Sequence, residues 1–133
     1  MITREADYAI RVCLYLAGSL KRGGGTASTA VMARELGIPY RFLRKLVLRL
    51  VRAGIVASRR GKGGGIRLIV PPRELALSAV VRAFAPEMVT LNACLAGKNR
   101  CTRSGFCPVH RELAAIQLTV DRRLDRITFD RLT

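Results

Sequence analysis

Pro39-Tyr40-Arg41-Phe42-Leu43-Arg44-Lys45-Leu46-Val47-Leu48-Arg49-Leu50-Val51-Arg52-Ala53-Gly54 is the stretch on which the fold turns. Leu43, Leu46, Val47 and Leu50 recur at three- and four-residue steps, so a helix gathers them on one face while Arg41, Arg44, Lys45, Arg49 and Arg52 crowd the opposite side. Pro39 suits the first turn of such a helix, and Gly54 suits its end. No acidic residue lies within it. Surface helices ordinarily mix signs and gain i to i+4 pairs, so five cations without a counter-charge repel one another unless an anionic partner offsets them. The spacing therefore predicts a helix that enters the major groove of double-stranded DNA, in preference to a merely solvated basic face.

Upstream, a Ser28 cap opens a short second helix that carries Val31, Met32 and Leu36 inward, turns Glu35 outward and stops at Gly37. Helix, short glycine turn and helix make a helix-turn-helix. Before it, Ala6, Ala9, Ile10, Cys13, Leu14, Leu16, Ala17 and Leu20 repeat with helical spacing from about Thr3 to Leu20, and Gly23-Gly24-Gly25 ends the run. Downstream, Ile55 to Ala57 and Ile66 to Val70 read as two strands joined by the loop Ser58 to Gly65. Its glycines permit positive backbone angles and close approach, while Arg59, Arg60 and Lys62 charge its tip, which suits a wing along a minor groove. A nucleotide-binding loop is excluded, because Gly65 leads into a strand and no Lys-Ser/Thr pair opens a helix. The candidate DNA-binding residues are Ser28, Tyr40, Arg41, Arg44, Lys45, Arg49, Arg59, Arg60 and Lys62.

Pro71 and Pro72 cannot donate to a ladder and close the second strand, which divides the chain into a winged helix-turn-helix over 1–72 and a remainder over 73–133. A fourth helix from about Ala76 to Ala85, closed by Pro86, leads to a loop with Cys94, Cys101 and Cys107, followed by His110. Six and then five residues separate these cysteines, unlike the paired knuckles of structural zinc, although three thiolates and one imidazole satisfy either zinc or an iron-sulfur cluster. Cys13 falls on the apolar face of the first helix and reads as a packed core thiol. The last helix, Pro108 to about Asp125, places His110 one turn beyond Cys107 on the same side. It also carries the stripe Leu113, Ile116, Val120, Leu124 and Ile127, which suits pairing in a homodimer.

Bulk properties agree with this reading. The 133 residues hold 24 Lys plus Arg against 9 Asp plus Glu, a formal charge of +15 that favours a phosphate backbone. No apolar run approaches a membrane span, and the first apolar segment carries Arg4, Glu5, Asp7 and Arg11, so neither anchor nor export signal is expected. A cytoplasmic, reducing location follows, where grouped cysteines bind metal or sense redox more often than they form disulfides. The fold class is mainly α with a small β-hairpin wing, a winged helix-turn-helix plus a long C-terminal dimerisation helix.

The chain resembles the Rrf-two family of winged-helix regulators over nearly its whole length. The resemblance rests on Asp7-Tyr8-Ala9-Ile10-Arg11, the wing Arg60-Gly61-Lys62-Gly63-Gly64-Gly65-Ile66-Arg67-Leu68, the three late cysteines and the closing Ile127-Thr128-Phe129-Asp130-Arg131-Leu132. It implies a dimer built on the last helix, with an iron-sulfur cluster, 2Fe-2S or 4Fe-4S, in the cysteine loop and cluster state controlling operator binding. Cys107-Pro108-Val109-His110 looks like the cysteine and histidine ligand pair of IscR-like members, which makes His110 the favoured fourth ligand. Asp7 matches the aspartate that NsrR-like members offer across the dimer, so Asp7 of the partner subunit is the alternative. The first cysteine gap is one residue longer than is common in cluster-binding members. A zinc-stabilised or cluster-free regulator remains open on these residues. A cysteine-dependent enzyme is the remote alternative, lacking a folded cleft with an oriented base.

Overall fold

Thr3 ends the N-terminal extension by capping the first helix: its Oγ1 accepts a hydrogen bond from the Ala6 N–H at 3.1 Å. The structure, a computed structural model, describes residues 2–85, 90–96, 101–103 and 105–133. In chain order its elements are α1 Arg4–Lys21, α2 Thr29–Leu36, α3 Tyr40–Arg52, β1 Val56–Arg59, β2 Gly65–Leu68, α4 Leu77–Phe84 and α5 Pro108–Arg126, with short 3-10 turns at Ala93–Leu95 and Phe129–Leu132. Gly37, at φ 63, turns the chain between α2 and α3, and Ile38 then donates to the Ala33 carbonyl and buries its side chain. Pro39 precedes α3 as its cap residue, one position earlier than the first-turn place expected for it.

One apolar core joins both ends of the sequence. Leu16 and Val12 of α1, Met32 of α2, and Leu43, Leu46 and Leu50 of α3 pack with Ile66 of the hairpin, and Leu75, Val80, Phe84 and Phe129 complete the same cluster. Fully burying each such side chain stabilises the fold by about 1.5 to 3 kcal/mol relative to exposure. Cys13 lies within it, and burial pushes its thiol up to about 12, so it stays neutral as a packed core group.

The hairpin differs in detail from the sequence expectation. β1 starts at Val56 and runs on through Ser58 and Arg59, paired with Ile66 and Gly65, which leaves only Arg60 to Gly64 as the turn. β2 stops at Leu68, ahead of Pro71 and Pro72. The hairpin is held from outside: Ile66 exchanges both backbone hydrogen bonds with Ala27, at 2.9 and 2.8 Å, and Gly65 makes that approach possible. A Cβ on Gly65 would stand 2.5 Å from the Ala27 carbonyl oxygen, and its φ of 137 disfavours any other residue. The wing is thus fastened to the segment that leads into α2.

At the other end, Leu77 donates to the Ile127 carbonyl and Phe129 to that of Leu75, so the C-terminal turn returns to α4 and sinks Phe129 into the core. Arg82 of α4 pairs with Asp125 of α5 at 3.3 Å. No residue of α5 is fully buried. Pro86, expected to close α4, lies outside the described residues, as do residues 97–100 and Ser104 of the cysteine loop.

Candidate nucleic-acid interface and metal centre

The start of α2, the start of α3 and the hairpin enclose a cleft lined by Ser28, Tyr40, Arg44, Arg59 and Arg60. Ser28 precedes α2 without a side-chain capping bond, so its hydroxyl stays open to an outside partner at a helix N-terminus, where backbone N–H groups favour an anion. On the other flank of α3, Arg41 and Lys45 border a second pocket together with Arg4 and Tyr8 of α1, Pro39 and Phe42. Lys62 is exposed at the hairpin turn, and Arg52 is exposed at the end of α3. Eight of the nine sequence-derived residues are therefore exposed around α3 and the hairpin.

Arg49 is the ninth, and its guanidinium turns inward. It forms an ion pair with Glu5 of α1, donates to the Ala83 and Phe84 carbonyls at 3.2 and 3.3 Å, and stacks over the Phe84 ring with its carbon 4.4 Å from the centroid. The last carbonyls of a helix have no intrahelical partner, and a cation near them satisfies both their hydrogen bonding and the helix dipole. The structure does not bring Arg49 to the cationic face.

Cys94 sits in the turn Ala93–Leu95, Cys107 is the cap residue of α5, and Cys101 lies between them; all three are half-buried and none is in a disulfide. His110 follows in the first turn of α5, where its N–H donates to the Cys107 carbonyl at 3.2 Å. Its Nδ1 is buried without a hydrogen-bond partner among the described residues. A buried nitrogen left unsatisfied costs free energy that a bound metal or donor would recover. The described residues contain no group of three or more His, Cys, Asp or Glu already close enough to hold a metal ion. Donor types and the imidazole nitrogen left without a partner among the described residues thus suit a soft metal group. Asp7 is differently placed: on α1 it pairs with Arg11 at 3.0 Å, and Arg11 also lies over the Tyr8 ring.

The family model described as Rrf2, iron-dependent transcriptional regulator, matches residues 2–133. The chain belongs to the Rrf2 family. Among its relatives, the HTH-type transcriptional regulator NsrR of Bacillus subtilis is 32% identical over 127 residues, covering 96% of this chain and 86% of that protein. The regulator IscR of Aliivibrio salmonicida is 32% identical over 131 residues, covering 98% and 76%. The solved structure of T. potens IscR superposes with a TM-score of 0.74 at 23% identity over 99% of this chain and 85% of that one, a likeness of fold. As an Rrf2 protein the chain is a transcription regulator with a DNA-binding winged helix, and not an enzyme.

Two further exposed cations of this Rrf2 chain beside these pockets were not among the sequence-derived candidates. Arg4 borders the second pocket, and Arg67 is exposed on β2 beside Thr26, Ser58 and Arg59. Arg67 had a signal in the alternation of its strand, since Ile66 and Leu68 are buried on either side of it. Arg4 had none, because only folding brings the start of α1 against α3. For Arg49 the expected consequence is structural. Arg49→Ala should remove two carbonyl partners, the ion pair and the stacked contact together, costing on the order of 1 to 3 kcal/mol and lowering Tm by about 5 to 10 °C. Calorimetry checks this, and an unchanged Tm would deny the link between α1, α3 and α4.

Proposed function

We propose that the protein is a dimeric operator-binding repressor or activator whose affinity for DNA is set by an iron-sulfur cluster held by Cys94, Cys101 and Cys107, with His110 as fourth ligand. Residues 1–72 bind DNA, and residues 73–133 supply the cysteine loop and the dimerisation helix. The observation that carries the cluster reading is the Nδ1 of His110, buried one turn from Cys107 without a partner among the described residues. It supports His110 over Asp7 of the partner subunit, because the Asp7 carboxylate already has Arg11 as a partner. A cluster bound there would supply a group whose oxidation, nitrosylation or loss changes with iron, redox state or nitric oxide. The chain's part is to bring three thiolates and an imidazole within reach of one group.

For DNA, Arg44 and Tyr40 face the groove with the wing beside them, and Ser28, Arg41, Lys45, Arg59, Arg60 and Lys62 meet phosphates or the minor groove. Acting on DNA, the protein works in the cytoplasm; no helix of the described residues is long and apolar enough to cross a membrane. Affinity for a duplex recovered by in vitro selection should fall steeply and linearly on a log-log salt plot. Arg44→Ala should cost on the order of 1 to 3 kcal/mol and relax the preference at one base step, while Arg60→Ala should weaken all duplexes alike and flatten the salt slope by about one. Silence of both variants, or binding indifferent to salt, would sink the DNA assignment. Anaerobic absorption spectra with iron and sulfide analysis test the cluster.

A further inference from the structure

Leu48 is 57% exposed, the most exposed large apolar residue of α3. It cannot be a stray core residue, because Leu46, Val47 and Leu50 on the same helix are all buried. Helical spacing puts it one turn beyond Arg44 and Lys45, one turn before Val51 and Arg52, and seven residues from Arg41. The outward face of α3 therefore has an apolar centre, Leu48 with the exposed Val51 beside it, inside a ring of Arg41, Arg44, Lys45 and Arg52, all exposed.

Whatever covers this face must be anionic at its edges and apolar in the middle. A neutral apolar protein surface would strip water from four cations without pairing them, at a cost exceeding the gain from one leucine. Duplex DNA has the required pattern: phosphates line both edges of the major groove, and the one apolar group on its floor is the C5 methyl of thymine. Recognition helices read bases over two turns of their length, so a residue one turn beyond Arg44 is within the reading stretch.

We propose that Leu48 is a specificity-determining residue that packs against a thymine methyl and selects thymine at one position of each operator half-site. The inference rests on α3 being the recognition helix, and the experiment separates the two ideas. A duplex is first selected from a random library with the wild-type protein, and each thymine is then replaced in turn by deoxyuridine, which removes the methyl and keeps every hydrogen bond. Wild-type affinity should fall about fourfold when one half-site carries the replacement, the worth of one buried methyl, and about fifteenfold when both do. Leu48→Ala, a change on an exposed face that leaves the core intact, should lose affinity for the thymine duplex and show no further loss with deoxyuridine at that position. Equal sensitivity of wild type and variant to the missing methyl, or none in either, overturns the Leu48 assignment while salt-dependent binding leaves the recognition helix standing. Conversion of Leu48→Ala from dimer to monomer in sedimentation would also overturn it, assigning the face to a second copy. Failure to enrich any duplex would instead overturn the proposed function itself.

Discussion

Serine in place of Cys94, Cys101 or Cys107 should leave anaerobically purified protein colourless, with iron and sulfide reduced from stoichiometric to near zero. A cluster needs thiolate donors, and a hydroxyl is a harder, poorer ligand for the same soft site. Each of the three cysteines is half-buried and none is in a disulfide. His110→Ala should keep the cysteine set but shorten cluster lifetime and shift the spectrum, since it deletes a buried nitrogen that has no other partner among the described residues. Asp7→Ala should change little, because it breaks only a half-exposed ion pair with Arg11. A strong response from Asp7→Ala and none from His110→Ala would move the fourth ligand to the partner subunit. Wild-type protein holding stoichiometric zinc would end the sensing mechanism and leave the DNA-binding face untouched.

Ile116→Glu should turn a dimer into a monomer and remove tight operator binding. α5 spans 19 residues without a fully buried side chain, and Ile116 is 51% and Val109 59% exposed, while its C-terminal end is tied to α4 through Asp125 and Ile127. Exposed apolar residues along such a helix suit pairing with a second copy across a two-fold axis, as in the proposed dimer. Glutamate at the centre of that seam would bury two like charges without partners, an expense of at least about 3 kcal/mol and more than a hundredfold in dimer affinity. Operator binding would fall with it, because in the proposed dimer each subunit reads one half-site. Sedimentation at micromolar protein checks the assembly, with Arg122→Glu on the solvent side as a control that stays dimeric. An Ile116→Glu protein that is folded and still dimeric would place the interface elsewhere.

Much of this architecture is written in local pattern. The three-and-four spacing of Leu43, Leu46, Val47 and Leu50 fixes which side of α3 is buried, and the charge of the opposite side follows from composition alone. Gly37 and Gly54 mark helix ends because a positive φ is cheap only for glycine. Thr3 and Pro108 mark helix starts for equally local reasons.

What local pattern could not decide concerns groups whose partners lie far along the chain. Arg49 looks like any other cation of α3, and only the arrival of Glu5 and of the α4 carbonyls, 44 and 34 residues away, turns it inward. Gly65 reads as a flexible wing glycine until Ala27 presses against it. Phe129 lies in a polar tail by sequence yet completes the core formed with α1. Cys107 and His110 share a helical turn by spacing, but the burial of Nδ1 without a partner depends on what packs over α5. The sequence by itself determined the elements and their faces, since those depend on neighbours three or four residues apart; tertiary structure decided which charges stay on the exposed face proposed for DNA and which hold the helices together, because that depends on contacts the chain makes only when it closes on itself.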